Sequence, residues 1–229
     1  MLSLSALVAA ASLAAAPSAP ADCAQFPTAG AARQLVTVEA ARHGTTHASL
    51  RIWRRGTSGE ACWDPAGGPW PARVGRNGLS ADRREGDGTT PTGVFGIGSV
   101  MYGTAADPGV RFRYRRLRCG DFWNEDTASP TYNSFQHVPC GTDPPFRHKG
   151  EAMWQQPVAY PHLAVVEYNM HPVVPAKGSG IFLHAQTGGA TNGCISLERP
   201  TLVRVLRWLR PDAQPRIAIG TAAEIRRGR

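Results

Sequence analysis

A histidine and a cysteine towards the C-terminal end of the chain have the residue types needed for covalent acyl chemistry. His184 ends an apolar run, a glycine-rich stretch follows, and Cys194 comes directly after Gly193. A free thiol has a pKa of about 8.5 and is mostly protonated at neutral pH, so an imidazole that accepts its proton makes the sulfur nucleophilic. The intervening loop is long enough to fold back, and we predict Cys194 as the nucleophile and His184 as its base.

The residues around Cys194 suit an attacking thiol. Gly193 leaves room for a substrate backbone and permits a strained turn at the nucleophile. Backbone amides beside Cys194 are expected to face the oxygen of a tetrahedral intermediate. The alternative is a buried structural cysteine near a hydrogen-bonded histidine. The odd number of cysteines, an N-terminal export signal and the glycine-rich approach favour the chemical interpretation.

The export signal lies in residues 1–21, which carry no charge. An apolar stretch at residues 2–16 is too short to span a bilayer, and small residues and proline follow it. We predict a secretory signal peptide cleaved before Asp22, although the usual basic n-region is missing. The alternative is an uncleaved, membrane-associated N-terminus. The expected mature protein is extracytoplasmic and associated with the cell wall, with no integral membrane span after cleavage.

The cysteines support a single reactive thiol. In an oxidising compartment an even set of cysteines tends to pair, and the chain has five. Cys119 and Cys140 bracket a Trp- and Asn-rich segment and are predicted to pair. A Cys23–Cys62 disulfide would then attach the mature N-terminus to the body of the domain. This pairing leaves Cys194 free.

The chain is basic, with 25 Lys and Arg against 17 Asp and Glu and a net charge of +8. An anionic partner such as a wall polymer, a membrane surface or a nucleic acid is one interpretation. A compositional bias spread over a solvated surface is the interpretation that we favour. Residues 111–118 alternate arginine with apolar or aromatic residues, which predicts a half-buried strand. Export argues against nucleic acid as a partner.

The rest of the sequence predicts a mainly β domain that positions these residues. Glycine (25) and proline (19) are scattered, which favours short strands joined by turns. Strands are predicted at residues 35–41, 48–54, 69–74, 94–97, 163–168, 180–184 and 215–220. Residues 119–160 have little periodicity and are predicted as a long, disulfide-stapled loop, with a lid over the active site as one possibility. Leu202, Val205, Leu206 and Leu209 share one face of a single C-terminal helix that begins near Pro200.

The sequence resembles the L,D-transpeptidases with a YkuD-type catalytic domain. The matching elements are His184, the segment Thr191-Asn192-Gly193-Cys194-Ile195, and upstream Thr90-Pro91-Thr92-Gly93-Val94-Phe95. The resemblance covers residues 33–220 and implies a β-sandwich or barrel with a helix packed on it. The implied organisation is a signal peptide (1–21), an N-terminal extension (22–32), a catalytic domain (33–222) and a basic tail (223–229).

The resemblance also implies a reaction. The cysteine attacks the carbonyl of the third residue of a peptidoglycan tetrapeptide stem, the terminal D-Ala leaves, and an amine of a neighbouring stem resolves the thioacyl-enzyme as a 3→3 cross-link. Water as acceptor gives L,D-carboxypeptidase activity instead. His184 is the implied proton acceptor and donor, oriented by the carbonyl of Ala185. No carboxylate partner, cofactor or metal is implied, and peptidoglycan stem peptides are the expected partner.

Four positions depart from the family pattern. Ala185 stands where the family has Gly or Ser, Thr191 replaces a serine, Asn192 replaces a second histidine, and Ser196 replaces Arg or Asn. These four residues and Gly193 are the predicted oxyanion and substrate-positioning residues. The substitutions leave the nucleophile and base in place, so the departures bear on donor and acceptor preference.

Three alternatives to an L,D-transpeptidase can be compared with the sequence. Papain-like wall hydrolases place the cysteine before its histidine, whereas His184 comes first here. A non-catalytic wall-binding protein on the same fold is the second alternative. A metal site is the third, but His43 and His47 are separated by a glycine-containing loop sequence that does not present both from one helix. The sequence leaves the oligomeric state open.

Overall fold

The computed structural model describes residues 24–56, 62–146 and 150–227, in which apolar runs form a series of short strands. The strands are β1 (Gln34–Glu39), β2 (His47–Arg55), β3 (Trp63–Arg73), β4 (Leu79–Ser80), β5 (Thr90–Pro91), β6 (Gly93–Gly103), β7 (Arg113–Arg116), β8 (Asp121–Asn124), β9 (Ser134–His137), β10 (Glu151–Ala152), β11 (Leu163–Val166), β12 (Phe182–Ala185), β13 (Ile195–Leu197) and β14 (Arg216–Gly220). The helices are α1 (Arg199–Trp208) and α2 (Ala222–Arg227). Single 3-10 turns lie at Pro27–Ala29, Met153–Gln155 and Pro211–Ala213.

Nine of the strands form one sheet in the order β11-β12-β13-β3-β2-β1-β14-β6-β7. β11 also pairs with β6, so the strands from β11 to β6 close into a barrel-like ring and β7 lies outside it. The pairs β1–β14, β6–β7 and β12–β13 are parallel. This architecture confirms the mainly β fold with a C-terminal helix.

The sheet is buried on both faces along its central strand β1. Val36 and Val38 point into the main core, while Leu35 belongs to a second cluster on the other face. This separation follows from the two-residue period of a strand, in which successive side chains point to opposite faces.

The helix α1 covers one side of the main core. Pro200 lies in its first turn, and Leu202, Val205 and Leu206 are its buried residues. The helix packs against β12 and β13, the two strands that carry the predicted His184 and lead from Cys194. It is the helix that the apolar spacing predicts.

The two ends of the described chain pack together on the second face of the sheet. Phe26 lies in one buried cluster with Trp63 and with Ile225 of α2. The predicted basic tail at residues 223–229 is helical from Ala222 to Arg227 in its described part. The reason is a capping box: the Thr221 backbone N–H donates to Glu224 (2.7 Å) and the Glu224 backbone N–H donates to the Thr221 hydroxyl (3.4 Å).

The segment predicted as a long loop at 119–160 contains a separate three-stranded sheet, with β8 between β10 and β9. The prediction of a loop was therefore wrong for these three strands, because strands of two to four residues are too short to show a period. A buried carboxylate, Asp121 of β8, ties this sheet to β7 by accepting from Arg115 (2.8 Å). Asp121 also contacts His137 of β9 (2.7 Å) within the three-stranded sheet.

The disulfide predicted between Cys119 and Cys140 is present, and it joins the chain before β8 to the chain after β9. Cys62 is also disulfide-bonded. Its predicted partner Cys23, like the predicted signal peptide at 1–21, lies outside the described residues. Within the described ranges, no helix combines the length and apolarity that crossing a bilayer requires.

We expect Leu206→Ala to destabilise the fold strongly, because Leu206 is fully buried between α1 and the sheet. Removing this side chain leaves a cavity, with a cost of about 2–5 kcal/mol in the free energy of unfolding. Urea denaturation followed by circular dichroism measures it. Arg207→Ala, the exposed neighbour on the same helix, is the matched control with a change below about 0.5 kcal/mol. Equal effects of the two substitutions would contradict the packing of α1.

Candidate active site

The pairing of β12 with β13 brings the predicted nucleophile and base onto one part of the sheet. The strands are parallel, with Leu183 opposite Ile195 and His184 opposite Ser196. Cys194 comes directly before β13 and therefore lies beside Phe182 at the start of β12. Both Cys194 and His184 line one cleft of about 1400 Å³.

The thiol of Cys194 is buried and bound to backbone groups. It is the free cysteine of the described chain and is 8% exposed. Its Sγ accepts from the Phe182 backbone N–H (3.3 Å) and donates to the Gly180 carbonyl (3.3 Å). Burial, followed by the negative charge of Glu151, raises the pKa of the thiol to about 12. The resting cysteine is a protonated thiol at neutral pH.

The imidazole of His184 is also held neutral. Burial lowers its pKa to about 4, and the nearby carbonyls of Ala185 and Ala159 offset this only in part. Nδ1 lies 2.8 Å from the Ala185 carbonyl oxygen. Because a carbonyl only accepts, Nδ1 carries the proton and Nε2 is the basic nitrogen of the neutral ring. The ring of Tyr160 packs edge-on against the imidazole at 5.4 Å between centroids.

The described hydrogen bonds do not join Cys194 to His184 directly. With a protonated thiol and a neutral imidazole, the site does not store a thiolate–imidazolium pair. Hydrogen bonds between catalytic groups often form only when substrate is bound. The arrangement therefore suits general-base activation, in which the thiol leaves the Gly180 carbonyl and gives its proton to His184 as the sulfur attacks.

Two hydroxyl groups position the backbone at Cys194. The carbonyl of Cys194 accepts from Thr191 Oγ1 (2.6 Å) and from Thr90 Oγ1 (3.3 Å). Thr90 belongs to the upstream Thr-Pro-Thr-Gly element, and its hydroxyl also accepts from the Gly75 backbone N–H (2.8 Å). Thr191, predicted as a substrate-positioning residue, lines the cleft and fixes the turn before the nucleophile.

Gly193 has the backbone conformation that glycine permits, with a φ of 134°. Its N–H donates to Thr191 Oγ1 (3.1 Å). A Cβ at this position would lie 2.3 Å from Nη1 of Arg83 and 2.8 Å from the Thr89 carbonyl oxygen. The close approach of Arg83 is a second reason for glycine next to the nucleophile.

The remaining predicted positioning residues have different surroundings. Asn192 lines the cleft and accepts from Arg76 through Oδ1. Ala185 is buried, and its carbonyl orients His184. Ser196 is 1% exposed, lies opposite His184 in the strand register, and its buried Oγ has no partner among the described residues.

The structure adds charged residues to the cleft that the sequence did not single out. Glu125 and Glu151 come from the disulfide-bearing segment, and Glu85 and Arg83 come from the charged loop before β5. Burial and the neighbouring carboxylates raise the pKa of Glu125 to about 8. The hydroxyl of Tyr160 donates to both carboxylate oxygens of Glu151, each at 2.8 Å.

The three-stranded sheet forms one wall of the cleft. Phe122 of β8 and the nearby Phe146 and Trp154 line it with the Cys119–Cys140 disulfide. The segment is a wall with an aromatic surface, built on regular structure. Within the described ranges, no three His, Cys, Asp or Glu residues cluster in a way that would hold a metal ion.

Comparison with known proteins agrees with this arrangement. A family model described as the L,D-transpeptidase catalytic domain, YkuD, matches residues 43–223. The match includes the upstream threonine element, His184, Cys194 and α1. No curated protein and no solved structure matches the chain.

We expect Cys194 to react slowly with iodoacetamide at neutral pH, because its raised pKa favours the unreactive protonated form. The labelling rate of the folded protein should rise about tenfold per pH unit from pH ~7 to pH ~10 without reaching a plateau. Mass spectrometry of the intact protein follows the adduct.

The same protein unfolded in urea, with its disulfides intact, is the control. Its thiol should label much faster at pH ~7 and level off above about pH 8.5, while Cys194→Ala should not label at this position. A plateau in the folded protein near neutral pH would indicate a preformed thiolate and contradict the neutral site.

Proposed function

Because the chain belongs to the family of L,D-transpeptidase catalytic domains, we propose that it cross-links peptidoglycan. In this proposal Cys194 forms a thioacyl-enzyme with a tetrapeptide stem, D-Ala leaves, and a neighbouring stem completes a 3→3 cross-link. The observation that carries the proposal is a free cysteine and a histidine with a defined tautomer, lining one cleft on neighbouring strands of the matched domain.

Acylation begins with the transfer of one proton. The Cys194 thiol breaks its hydrogen bond to the Gly180 carbonyl, gives its proton to Nε2 of His184, and the sulfur attacks the carbonyl carbon of the third stem residue. A tetrahedral intermediate forms. The C–N bond to D-Ala then breaks, and the imidazolium returns the proton to the leaving amine, so that His184 is neutral again.

The oxyanion of the intermediate needs a backbone donor. The N–H of Gly193 already donates to Thr191, and we assign the main-chain donor to Cys194 itself. The hydroxyl bonds from Thr90 and Thr191 hold the Cys194 carbonyl and so orient the adjoining peptide groups. A preorganised donor stabilises charge as it develops, without a further cost of reorganisation.

The second half-reaction repeats the proton transfers in reverse. An acceptor amine loses a proton to His184 as it attacks the thioester, the C–S bond breaks, and the imidazolium protonates the departing thiolate. Water in place of the amine gives L,D-carboxypeptidase activity by the same steps. The acceptor amine must attack in its neutral form, because His184 takes up only the one proton that a neutral amine loses as it becomes an amide.

The proposed function requires an extracytoplasmic protein, because peptidoglycan lies outside the cytoplasm. Two features support export. The Cys119–Cys140 disulfide is of a kind that persists in oxidising compartments, and residues 1–21 have the character of a signal peptide.

Incubation of the mature protein with disaccharide-tetrapeptide tests the proposal. We expect release of D-Ala, a protein adduct equal to the donor less alanine, and dimers with a 3→3 bond, all detected by mass spectrometry. Tripeptide without dimer would identify the hydrolytic reaction instead. If wild type shows no adduct and no D-Ala release, the proposed activity is excluded, and the non-catalytic alternative is then tested by binding to isolated cell walls. Cys194→Ala is the control that must lack both.

His184→Gln tests the general base separately from the nucleophile. Glutamine keeps a hydrogen-bonding side chain and cannot accept the thiol proton, so we expect the acylation rate to fall about 10²–10⁴-fold. Stopped-time mass spectrometry of the Cys194 adduct measures the rate, and a thermal melt checks that the variant folds. An unchanged acylation rate would exclude His184 as the base.

A further inference from the structure

We propose that Arg83 binds a carboxylate group of the donor stem peptide next to Cys194. The inference rests on the proposed function and adds to it a specificity residue. Arg83 belongs to the charged loop between β4 and β5, away in sequence from the elements that carry Cys194 and His184.

Arg83 is an unusually buried cation. The residue is 3% exposed, and its guanidinium passes between two glycines. A Cβ on Gly178 would lie 2.3 Å from Nε, and a Cβ on Gly193 would lie 2.3 Å from Nη1. Tyr168 presents its ring face at 5.9 Å from the guanidinium carbon. Glycine at positions 178 and 193 therefore provides the space that this side chain occupies.

The guanidinium has more donors than the described residues satisfy. An arginine has five N–H donors, and the described bond is from Nη1 to the Thr89 carbonyl (2.9 Å). Nε is buried without a partner. None of the ion pairs found among the described residues includes Arg83. A buried charge without a counter-ion is costly, and an anionic ligand would offset that cost.

Arg83 is positioned to meet such a ligand in the cleft. It lines the same cleft as Cys194 and His184. Its positive charge lowers the pKa of both Cys194 and Glu125, against the larger effect of their burial. The other arginine of the cleft, Arg76, is exposed and already donates to Asn192 and to the Gly86 carbonyl. Among the described residues of the cleft, Arg83 is thus the cation that still has donors available near Cys194.

The chemistry of the ligand follows from the planar fork of arginine, which matches a carboxylate with two parallel hydrogen bonds. A tetrapeptide donor offers two carboxylates near the scissile bond: the terminal one of the leaving residue, and the side-chain carboxylate of a diamino acid that carries one.

The test compares three synthetic tetrapeptide donors. The first has both carboxylates free, the second has the terminal carboxylate amidated, and the third has the diamino-acid side-chain carboxylate amidated. Each is assayed for kcat/KM of D-amino-acid or D-amino-amide release with wild type, Arg83→Met, Arg83→Lys and Arg84→Met. Arg84 is the matched control, because it is exposed on the same loop and does not line the cleft.

For wild type and Arg84→Met, we expect one of the two amidations to lower kcat/KM by about 10- to 100-fold. Arg83→Met should be equally slow with the free and the amidated donor, and Arg83→Lys should show an intermediate ratio. A role limited to supporting the fold would lower all rates together and leave the ratio between donors unchanged. That outcome overturns the proposal.

A binding measurement keeps the inference separate from the proposed function. Calorimetry with Cys194→Ala, which cannot be acylated, gives the Kd of each donor without turnover. The same amidation should weaken binding in Cys194→Ala and have no effect in Cys194→Ala with Arg83→Met. Equal sensitivity of both proteins excludes Arg83 as the carboxylate ligand, even if the wild type proves to be a hydrolase. If Arg83→Met does not fold, Arg83→Lys with Cys194→Ala replaces it in this comparison.

Discussion

The parallel pairing of β12 with β13 is the constraint on which the rest of the site depends. Its register places Ser196 opposite His184 and brings Cys194 beside Phe182. A slip of one residue would turn every side chain of one strand to the opposite face and separate the nucleophile from its base. The register is reinforced from outside the sheet, because Thr90 and Thr191 both bind the Cys194 carbonyl, and α1 packs against both strands.

Burial of Cys194 and His184 keeps the thiol protonated, which suits a cleft that also contains a disulfide. The Cys119–Cys140 disulfide lines the same cleft as Cys194, and a thiolate is the species that attacks disulfides. A thiol with a pKa of about 12 is protonated at neutral pH and is therefore protected from this exchange. Burial therefore lowers the intrinsic reactivity of Cys194, and in the proposed reaction the attack depends on His184 as the proton acceptor. The negative charge of Glu151 raises the pKa of this thiol, and the positive charge of Arg83 lowers it.

The chemistry of the site was more predictable from the sequence than its walls. Cysteine parity and the His-to-Cys spacing led to Cys194 and His184, and apolar periodicity led to α1 and the barrel strands. The strands β8, β9 and β10 were not predicted, because they are too short to show alternation and their contacts come from distant parts of the chain. The burial of Arg83 was not predicted either, because an arginine in a charged loop is normally solvated. Only the fold brings Gly178 and Gly193 against its side chain. The Thr221 and Glu224 pattern of the capping box is present in the sequence and would have predicted α2. The basic composition of residues 223–229 led to the prediction of a tail instead.

Cys194 and His184 were easier to predict than the walls of the cleft for a physical reason. The strands that carry the nucleophile and base also form the core, so their side chains are restricted by packing as well as by chemistry. The wall segment packs in a separate cluster, in which Trp123 and Met153 are buried with Phe182 and Cys194. The three-stranded sheet is held to β7 by the buried Asp121, and the disulfide closes the part of the chain that contains β8 and β9. The segment brings Glu125, Glu151 and aromatic rings to the cleft. In the proposed reaction the substrate contacts therefore come from the added sheet and the loop of Arg83, since these segments supply charged and aromatic side chains to the cleft while β12 and β13 hold His184 and Cys194 in register.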